Sequence, residues 1–399
     1  AWTAEGAPYY RDLRKGLRNG VLRFGNLGAM SAPLIAFLPD STILVPTGRW
    51  TSLLGEKDSV SRTELTGQWY PKSQTFHFKK LPGASNRALF EDTFHEMRMS
   101  VDLGVLRVKE KRIDFYQISG RNQVPAWLES KDYYNDGRIQ ELQGLLNYSP
   151  MRILYRYLVE NKVETATIGD LAALVNRKPE QLQSGFQSYV DAGYLKLTDD
   201  LYSFTALGRH YARVAYEKKD FDTFYAASMG DRLDADSASI SLDLVDKKLR
   251  IRGIQQVMIS DSLKAEFIPY DEALTFQKGR DFNFLGEIKI GDYRFRGPDF
   301  AFKFNDFTAQ FTKIDSITFV PKGQSKEFGG QFRYESGSII LSAPGNKSGR
   351  FGVAEYPKLL IPNGMTAHFD EPWRANGVQL VLTMKAMLRK RTRLLKMEY

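Results

Sequence analysis

The sequence predicts an α+β protein that is mostly β, with repeated antiparallel β-layers and an inserted winged helix-turn-helix-like helical module. Aromatic residues are abundant, with 26 Phe and 20 Tyr in 399 residues, and such side chains favour strands and fill cores. Apolar and polar residues alternate with a period of two in much of the second half of the chain. One block, from Ser149 to Ser228, instead has the spacing of helices.

The first region, residues 1–148, is predicted to be β-rich. Short apolar-patterned pieces are separated by turn residues, as in a β-domain. These pieces are Thr42 to Val45, Arg62 to Tyr70, Thr75 to Phe78, Val101 to Val108 and Arg112 to Ile118.

The second region, 149–228, is predicted to be the helical module. Ser149 and Thr167 can each cap a helix, and a third helix follows Pro179 and ends before Gly193. Two strands joined by Asp199-Asp200 come next, and a last helix is expected from Ala206 towards Tyr225. This order of elements resembles a winged helix-turn-helix over about 80 of the 399 residues.

The charge of this module argues against nucleic-acid binding. Basic and acidic residues are equal in number between Ser149 and Ser228, so the net charge is zero. Phosphate contacts need clustered Lys and Arg, whereas the expected wing tip is Asp199-Asp200. A structural or protein-contacting role is therefore favoured, and nucleic-acid binding is kept as the alternative.

The third region, 237–375, is predicted to be a β-rich repeat region. Phe282 and Phe284, and then Phe300, Phe302 and Phe304, alternate with other residues so that one face is apolar. An Asp-Ser pair precedes four strand-like runs, at Asp40, Asp236, Asp261 and Asp315, and three of the runs end in Pro46, Pro269 and Pro321. We interpret these units, found on both sides of the helical module, as one interrupted architecture.

The last stretch, 376–399, is predicted to be a basic amphipathic tail. An apolar helical stripe is formed by Val381, Met384, Leu388 and Leu395, with a basic face opposite. The predicted partner-binding residues are Lys385, Arg389, Lys390, Arg391, Arg393 and Lys396. An acidic partner or an anionic membrane surface would suit this combination.

The residues expected for catalysis, metal binding or membrane crossing are missing from the sequence pattern. There is no cysteine, and the four histidines are scattered; His95-Glu96 has no second histidine at helical spacing. We therefore expect no catalytic site, cofactor or metal, and a chain that is not an enzyme. The longest nearly apolar stretch, Ala29 to Leu38, is too short for a transmembrane helix.

Three short motifs near the C-terminus carry a family resemblance: Asn346-Lys347-Ser348-Gly349-Arg350, Glu355-Tyr356-Pro357 and His368-Phe369-Asp370. They are similar to a passage in very large β-repeat envelope proteins of the Bacteroidota, and the Phe-rich segment from Asp281 to Phe319 resembles their β-units. The resemblance implies a structural or transport- or secretion-associated component of a larger envelope assembly. It implies a location in the periplasm or at the outer membrane, with the cytoplasm as the alternative.

Overall fold

A computed structural model describes residues 2–11, 14–81, 89–118, 125–228, 238–319, 328–332, 336–353, 356–361, 366–368 and 382–383. It confirms the predicted fold class: the protein is mostly antiparallel β with an inserted helical module. Two compact units are present. The helical unit spans Lys131–Asp222, and the remaining described residues form the β-unit.

The chain begins with long strands and continues with short ones. The long strands are β1 (Thr3–Arg11), β2 (Arg14–Arg23), β3 (Ala29–Phe37), β4 (Ile43–Leu53) and β5 (Ser59–Tyr70). The short strands before the helical unit are β6 (Thr75–Lys80), β7 (Phe90–Asp92), β8 (Met97–Ser100), β9 (Leu103–Arg107), β10 (Arg112–Tyr116) and β11 (Ala126–Ser130).

The helical unit contains α1 (Asp136–Gln143), α2 (Pro150–Asn161), β12 (Ala166–Thr167), α3 (Ile168–Leu174), α4 (Pro179–Asp191), β13 (Leu195–Thr198), β14 (Leu201–Phe204) and α5 (Ala206–Tyr216). The β-unit resumes with β15 (Tyr225–Ser228), β16 (Ile240–Asp243), β17 (Leu249–Arg252), β18 (Val257–Ser260), β19 (Ala265–Pro269) and β20 (Ala273–Phe276). Two long strands, β21 (Phe282–Ile290) and β22 (Tyr293–Lys303), follow. The last described strands are β23 (Thr308–Phe311), β24 (Ser316–Phe319), β25 (Phe328–Phe332), β26 (Gly337–Ile340), β27 (Lys358–Leu360), β28 (Thr366–His368) and β29 (Leu382–Thr383).

The β-unit has two layers that diverge from β5 and meet again at β21. One half of β5 pairs with β6 and the other with β7. Layer A then runs β6-β9-β10-β16-β17-β20, and layer B runs β7-β8-β11-β15-β18-β19. Both reach β21, which pairs with β20 through one half and with β19 through the other.

The long strands change layer at residues that interrupt the ladder. Register shifts occur around Pro46 in β4 and around Pro298 in β22, and proline has no N–H to donate. In β5, Glu64 has a left-handed φ of 57° at the same bend. Pro46 was expected to end its strand, but the structure places it within β4. The strand continues past Pro46 because the ladder is interrupted there, and such an interruption lets a long strand bend.

The order in which the chain builds the layers repeats. After β5 the next seven ladder strands, β6 to β11 and then β15, fall in layers A, B, B, A, A, B and B. After β22, β23 to β29 follow the same order, because β23, β26 and β27 continue layer A, whereas β24, β25, β28 and β29 continue layer B. The β-regions before and after the helical unit thus share one architecture, as the sequence predicts.

The Asp-Ser pairs do not mark this repeat. Asp40, Asp261 and Asp315 precede β4, β19 and β24, which occupy different places in the order of strands; Asp236 and Pro321 lie outside the described residues. A recurring turn between consecutive strands follows the order of layers more closely than the Asp-Ser pairs do. Four-residue connections between consecutive strands end in a left-handed residue, with φ between 49° and 55°, at Gln74, Glu96, Lys111, Lys264 and Phe307.

Aromatic side chains fill the space between the layers. The Phe78 ring of layer A lies 5.9 Å from the Phe90 ring of layer B, and Phe90 lies 5.2 Å from Phe115. Further along, Phe302 lies 5.0 Å from Phe267 and is completely buried. The inward direction predicted for Phe302 is therefore confirmed.

The helical unit has the element order of a winged helix, and its own core. Its sheet has the order β12-β14-β13, and Leu154, Leu171, Phe186 and Tyr189 are fully buried within the unit. The predicted caps are present: the Ser149 hydroxyl accepts from the Arg152 N–H at 3.3 Å, and Thr167 forms a capping box with Asp170.

The boundaries of the helical unit differ from the sequence expectation of 149–228. The unit begins at Lys131 and includes α1, which the pattern did not predict. The last helix ends at Tyr216 rather than near Tyr225, because Lys218 adopts a left-handed φ of 56°. Tyr225–Ser228 form β15, which belongs to layer B.

Candidate functional site

The six basic residues predicted to bind a partner lie outside the described residues: Lys385, Arg389, Lys390, Arg391, Arg393 and Lys396. One part of the predicted tail, 376–399, is described. Leu382–Thr383 form β29 and pair with Thr366–Ala367. The prediction of a helix along the apolar stripe is therefore wrong at Leu382 and Thr383, because these two residues form a strand of layer B.

Helix α4 occupies the place of a recognition helix in the winged-helix order. Its buried side holds Leu182, Phe186 and Tyr189. Its exposed residues are Glu180, Gln181, Gln183, Ser184, Gln187 and Asp191. No Lys or Arg is present within α4, so this face offers amide and carboxylate groups rather than cations for phosphate.

The wing consists of β13 and β14 joined by two aspartates. Asp199 and Asp200 have φ values of 49° and 63°, and two consecutive left-handed residues are what a two-residue type I′ hairpin turn requires. Both aspartates are exposed. The side chains of Leu197 and Leu201 beside them are 40% and 37% exposed. The wing thus combines negative charge with accessible apolar surface.

A groove of about 410 Å³ lies between α2 and α5. Its apolar lining includes Leu158, Val159, Val163, Phe204 and Ala212. At its rim, Arg209 pairs with Glu164 and Arg213 pairs with Glu217. Val159 is 56% exposed although it lies within a helix. Apolar surface of this kind inside a ring of balanced charges can accept the side chains of another protein.

Tyr155 also lines this groove. Its hydroxyl donates to the Glu217 carboxylate at 3.1 Å. Burial raises the pKa of Tyr155, and the hydrogen bond to Glu217 raises it further. The phenol therefore stays neutral and keeps donating at physiological pH.

The β-unit contains a buried polar cluster where several turns meet. Arg280 is 2% exposed. Its guanidinium donates to the Ser130 hydroxyl at 2.8 Å and pairs with Glu96 at 2.9 Å, and it also lies 4.6 Å above the Phe304 ring. The cluster joins the β7–β8 turn to the connection that precedes β21, which is a structural role.

A buried aspartate–histidine pair lies beside this cluster. His95 and Asp92 are buried, and their side chains approach to 2.6 Å between Nδ1 and Oδ2. From the sequence, His95 was expected to have only a surface or packing role, because no second histidine follows it at helical spacing. The signal that could have pointed to it is a histidine three residues after an aspartate in a short turn between two apolar strands.

The remaining expectations concern metals and membranes. Within the described ranges, no three His, Asp or Glu side chains come together as a metal site would require. None of the described helices is both long enough and apolar enough to cross a membrane.

Comparison of the chain with models of protein families, with curated proteins and with solved structures finds no match in any of the three.

Proposed function

We propose that the protein is a non-enzymatic structural and binding component of a larger bacterial cell-envelope assembly, associated with transport or secretion. In this proposal the two-layered β-unit is the scaffold and the helical unit binds another protein. The observation that carries the proposal is where the helical unit is inserted. It joins β11 to β15, which are antiparallel neighbours in layer B, so it takes the place of a hairpin loop.

The surface chemistry of the helical unit supports a protein partner. The exposed side of α4 carries amides and carboxylates, the wing tip is acidic, and the α2–α5 groove exposes Val159 and Val163. Interfaces with proteins use apolar patches bordered by polar groups. An envelope location and a contact by the basic residues Lys385 to Lys396 remain part of the proposal on sequence grounds.

The experiment compares three forms of the tagged full chain in its native host after cell fractionation and cross-linking. The forms are the wild type, a chain in which Asn-Gly replaces residues 131–223, and the double variant Val159→Glu, Val163→Glu. We expect the wild type in the envelope fraction with a reproducible cross-linked partner, and loss of that partner from both altered forms. Recovery of the wild type in the cytosol, or unchanged cross-linking after the replacement, would contradict the proposal.

The alternative is nucleic-acid binding, and the winged-helix order of elements is the observation that favours it. In that case two lysines should contact phosphate: Lys178, which directly precedes α4, and Lys196, which lies in strand β13 of the wing. Replacing both with Glu would then weaken DNA binding by the full chain and flatten its dependence on salt. We expect no change, because the exposed face of α4 and the wing tip lack a basic cluster.

A further inference from the structure

The sheet of the helical unit ends in an open strand. In the order β12-β14-β13, strand β13 has a neighbour on one side only, and that neighbour is β14. The other side of β13 therefore carries backbone groups that no described strand pairs with. An open edge of this kind accepts an additional strand from another chain unless something blocks it.

The hydrogen-bond pattern shows which groups of β13 point outwards. The Thr205 N–H donates to the Tyr194 carbonyl at 3.1 Å, so the backbone of Tyr194 faces the β14 side. The backbone groups of successive residues in an antiparallel strand point to opposite sides, so Leu195 and Leu197 direct their N–H and C=O groups away from β14. Within the part of the chain that the structure describes, neither residue has another backbone partner.

The side chains of β13 leave this edge accessible. Two common devices for blocking an edge, proline and a bulge, are absent from β13, whose pairing with β14 is regular. Lys196 discourages unselective pairing, because it repels any strand with a cation opposite to it. Leu197 lies on the other face of the strand, since side chains alternate, and it is 40% exposed. An incoming strand would set an apolar side chain beside Leu197.

The charges around the edge decide which strand fits it. The turn that follows β13 presents Asp199 and Asp200, both exposed. Helix α4, which precedes β13, contains two acidic residues and neither Lys nor Arg. Lys196 is the one cation in β13 and its turn. A segment with uncharged residues along β13, and Lys or Arg beside the wing tip, therefore complements this surface.

We propose that the open edge of β13 binds an extended segment of the partner protein as an additional antiparallel strand, with basic residues beside Asp199 and Asp200. This inference rests on the proposed function, because it states what kind of partner the helical unit binds. The backbone of Leu195 and Leu197 supplies the hydrogen bonds, and the Leu197 side chain supplies an apolar contact. In strand addition, main-chain bonds give affinity and alternate side chains give specificity.

A peptide with this chemistry tests the proposal on the full chain. The probe is the capped synthetic peptide Lys-Lys-Thr-Val-Thr-Val-Thr; its lysines come first because an antiparallel strand begins beside the end of β13. With ¹⁵N-leucine labelling, the amide signals of Leu195 and Leu197 should shift and saturate as the peptide is added. A peptide with proline at both valines should leave them unchanged, and one with Glu-Glu in place of Lys-Lys should bind at least about tenfold more weakly.

Two substitutions at one position separate the backbone from the side chain. Leu197→Pro removes the outward N–H, and it should leave the wing folded because that N–H does not bond to β14. Leu197→Thr keeps the N–H on a residue that favours strands. Followed at the Leu195 amide, binding of the lysine peptide should be lost in Leu197→Pro and retained in Leu197→Thr.

The double variant Asp199→Asn, Asp200→Gly tests the charge without weakening the turn. Asn-Gly is the preferred pair for a type I′ hairpin, so the wing should stay folded. The lysine peptide should then lose its advantage over the glutamate peptide. If Leu197→Pro melts at a lower temperature than Leu197→Thr, this double variant decides.

Several outcomes would overturn the inference. They are equal peptide binding by folded Leu197→Pro and Leu197→Thr, an unchanged preference for lysine in the double variant, and no binding by the wild type. Shifts that depend on protein concentration alone would place a second copy at the edge, and would also overturn it. A cross-linked partner that is lost with 131–223 but kept by Leu197→Pro would refute strand addition and leave the proposed function standing. If the wild type has no cross-linked partner, the proposed function fails, and peptide binding still decides the edge.

Discussion

At the scale of single residues, Phe302 tests the packing between the layers. Its ring lies within 6 Å of the rings of Phe267, Phe282, Phe304 and Phe307. Phe302→Ala should reduce the free energy of unfolding by about 3–5 kcal/mol, because a cavity remains where the surrounding strands cannot close in. Phe351, which is 49% exposed, provides the control, and Phe351→Ala should cost less than about 0.5 kcal/mol. Denaturant titration of both variants measures the difference; equal costs would contradict the burial argument.

Lys264 tests the recurring four-residue turn. It has a left-handed φ of 49°, a conformation that costs an ordinary residue about 1–2 kcal/mol and glycine little. Lys264→Gly should therefore raise the melting temperature, by the equivalent of about 1 kcal/mol. Lys289→Gly, in the extended strand β21, should lower stability by about 0.5–1 kcal/mol. If both glycine variants destabilise, the turn is not strained as proposed.

At the scale of elements, the start of α3 depends on one side chain. Thr167 accepts from the Asp170 N–H at 3.1 Å, and Asp170 accepts from the Thr167 N–H at 3.0 Å. Thr167→Ala removes one of these bonds and should destabilise the helical unit by about 1 kcal/mol. Thr167→Ser keeps the hydroxyl and should be nearly neutral. Hydrogen exchange of the α3 amides reports the change; equal protection in both variants would show that the cap contributes little.

The sequence predicts elements better than it predicts their arrangement. The caps at Ser149 and Thr167 and the alternation around Phe302 are local signals, and the structure confirms them. The end of α5 at Tyr216 was not predicted, because no residue type near Lys218 indicates that this lysine adopts a left-handed φ. Layer membership was also out of reach, because it depends on pairing between distant strands such as β10 and β16.

At the scale of the whole molecule, the helical unit is an insertion that the β-unit should tolerate losing. The Ser130 N–H donates to the Phe224 carbonyl at 3.2 Å, so the two ends of the insertion already face each other across a strand pair. Replacing 131–223 with Asn-Gly should close β11 and β15 as a hairpin. The shortened chain should melt cooperatively, and Phe302→Ala should cost the same in it as in the full chain. Loss of cooperative melting would show that the β-unit requires the insertion.

The candidate site was predictable only in part. The equal numbers of acidic and basic residues in the helical module could be counted from the sequence, and the absence of Lys and Arg from α4 agrees with this lack of net positive charge. The groove lined by Val159 and Val163, and the pairing of His95 with Lys247 across 152 residues, arise from tertiary packing. The three-residue Asp–His spacing is a local signal, but the contact with Lys247 follows only from the pairing of distant strands.

The strands that cross between the layers have a mechanical consequence. In most sandwiches two sheets are held together by side-chain contacts alone, so a shearing force has only dispersion and the hydrophobic effect to overcome. Here β5, β21 and β22 each contribute backbone hydrogen bonds to both layers. Sliding one layer past the other would therefore require the backbone hydrogen bonds of these strands to break at the same time. We therefore expect the crossing strands to oppose shear between the layers, and the protein under load to unfold first at the short strands.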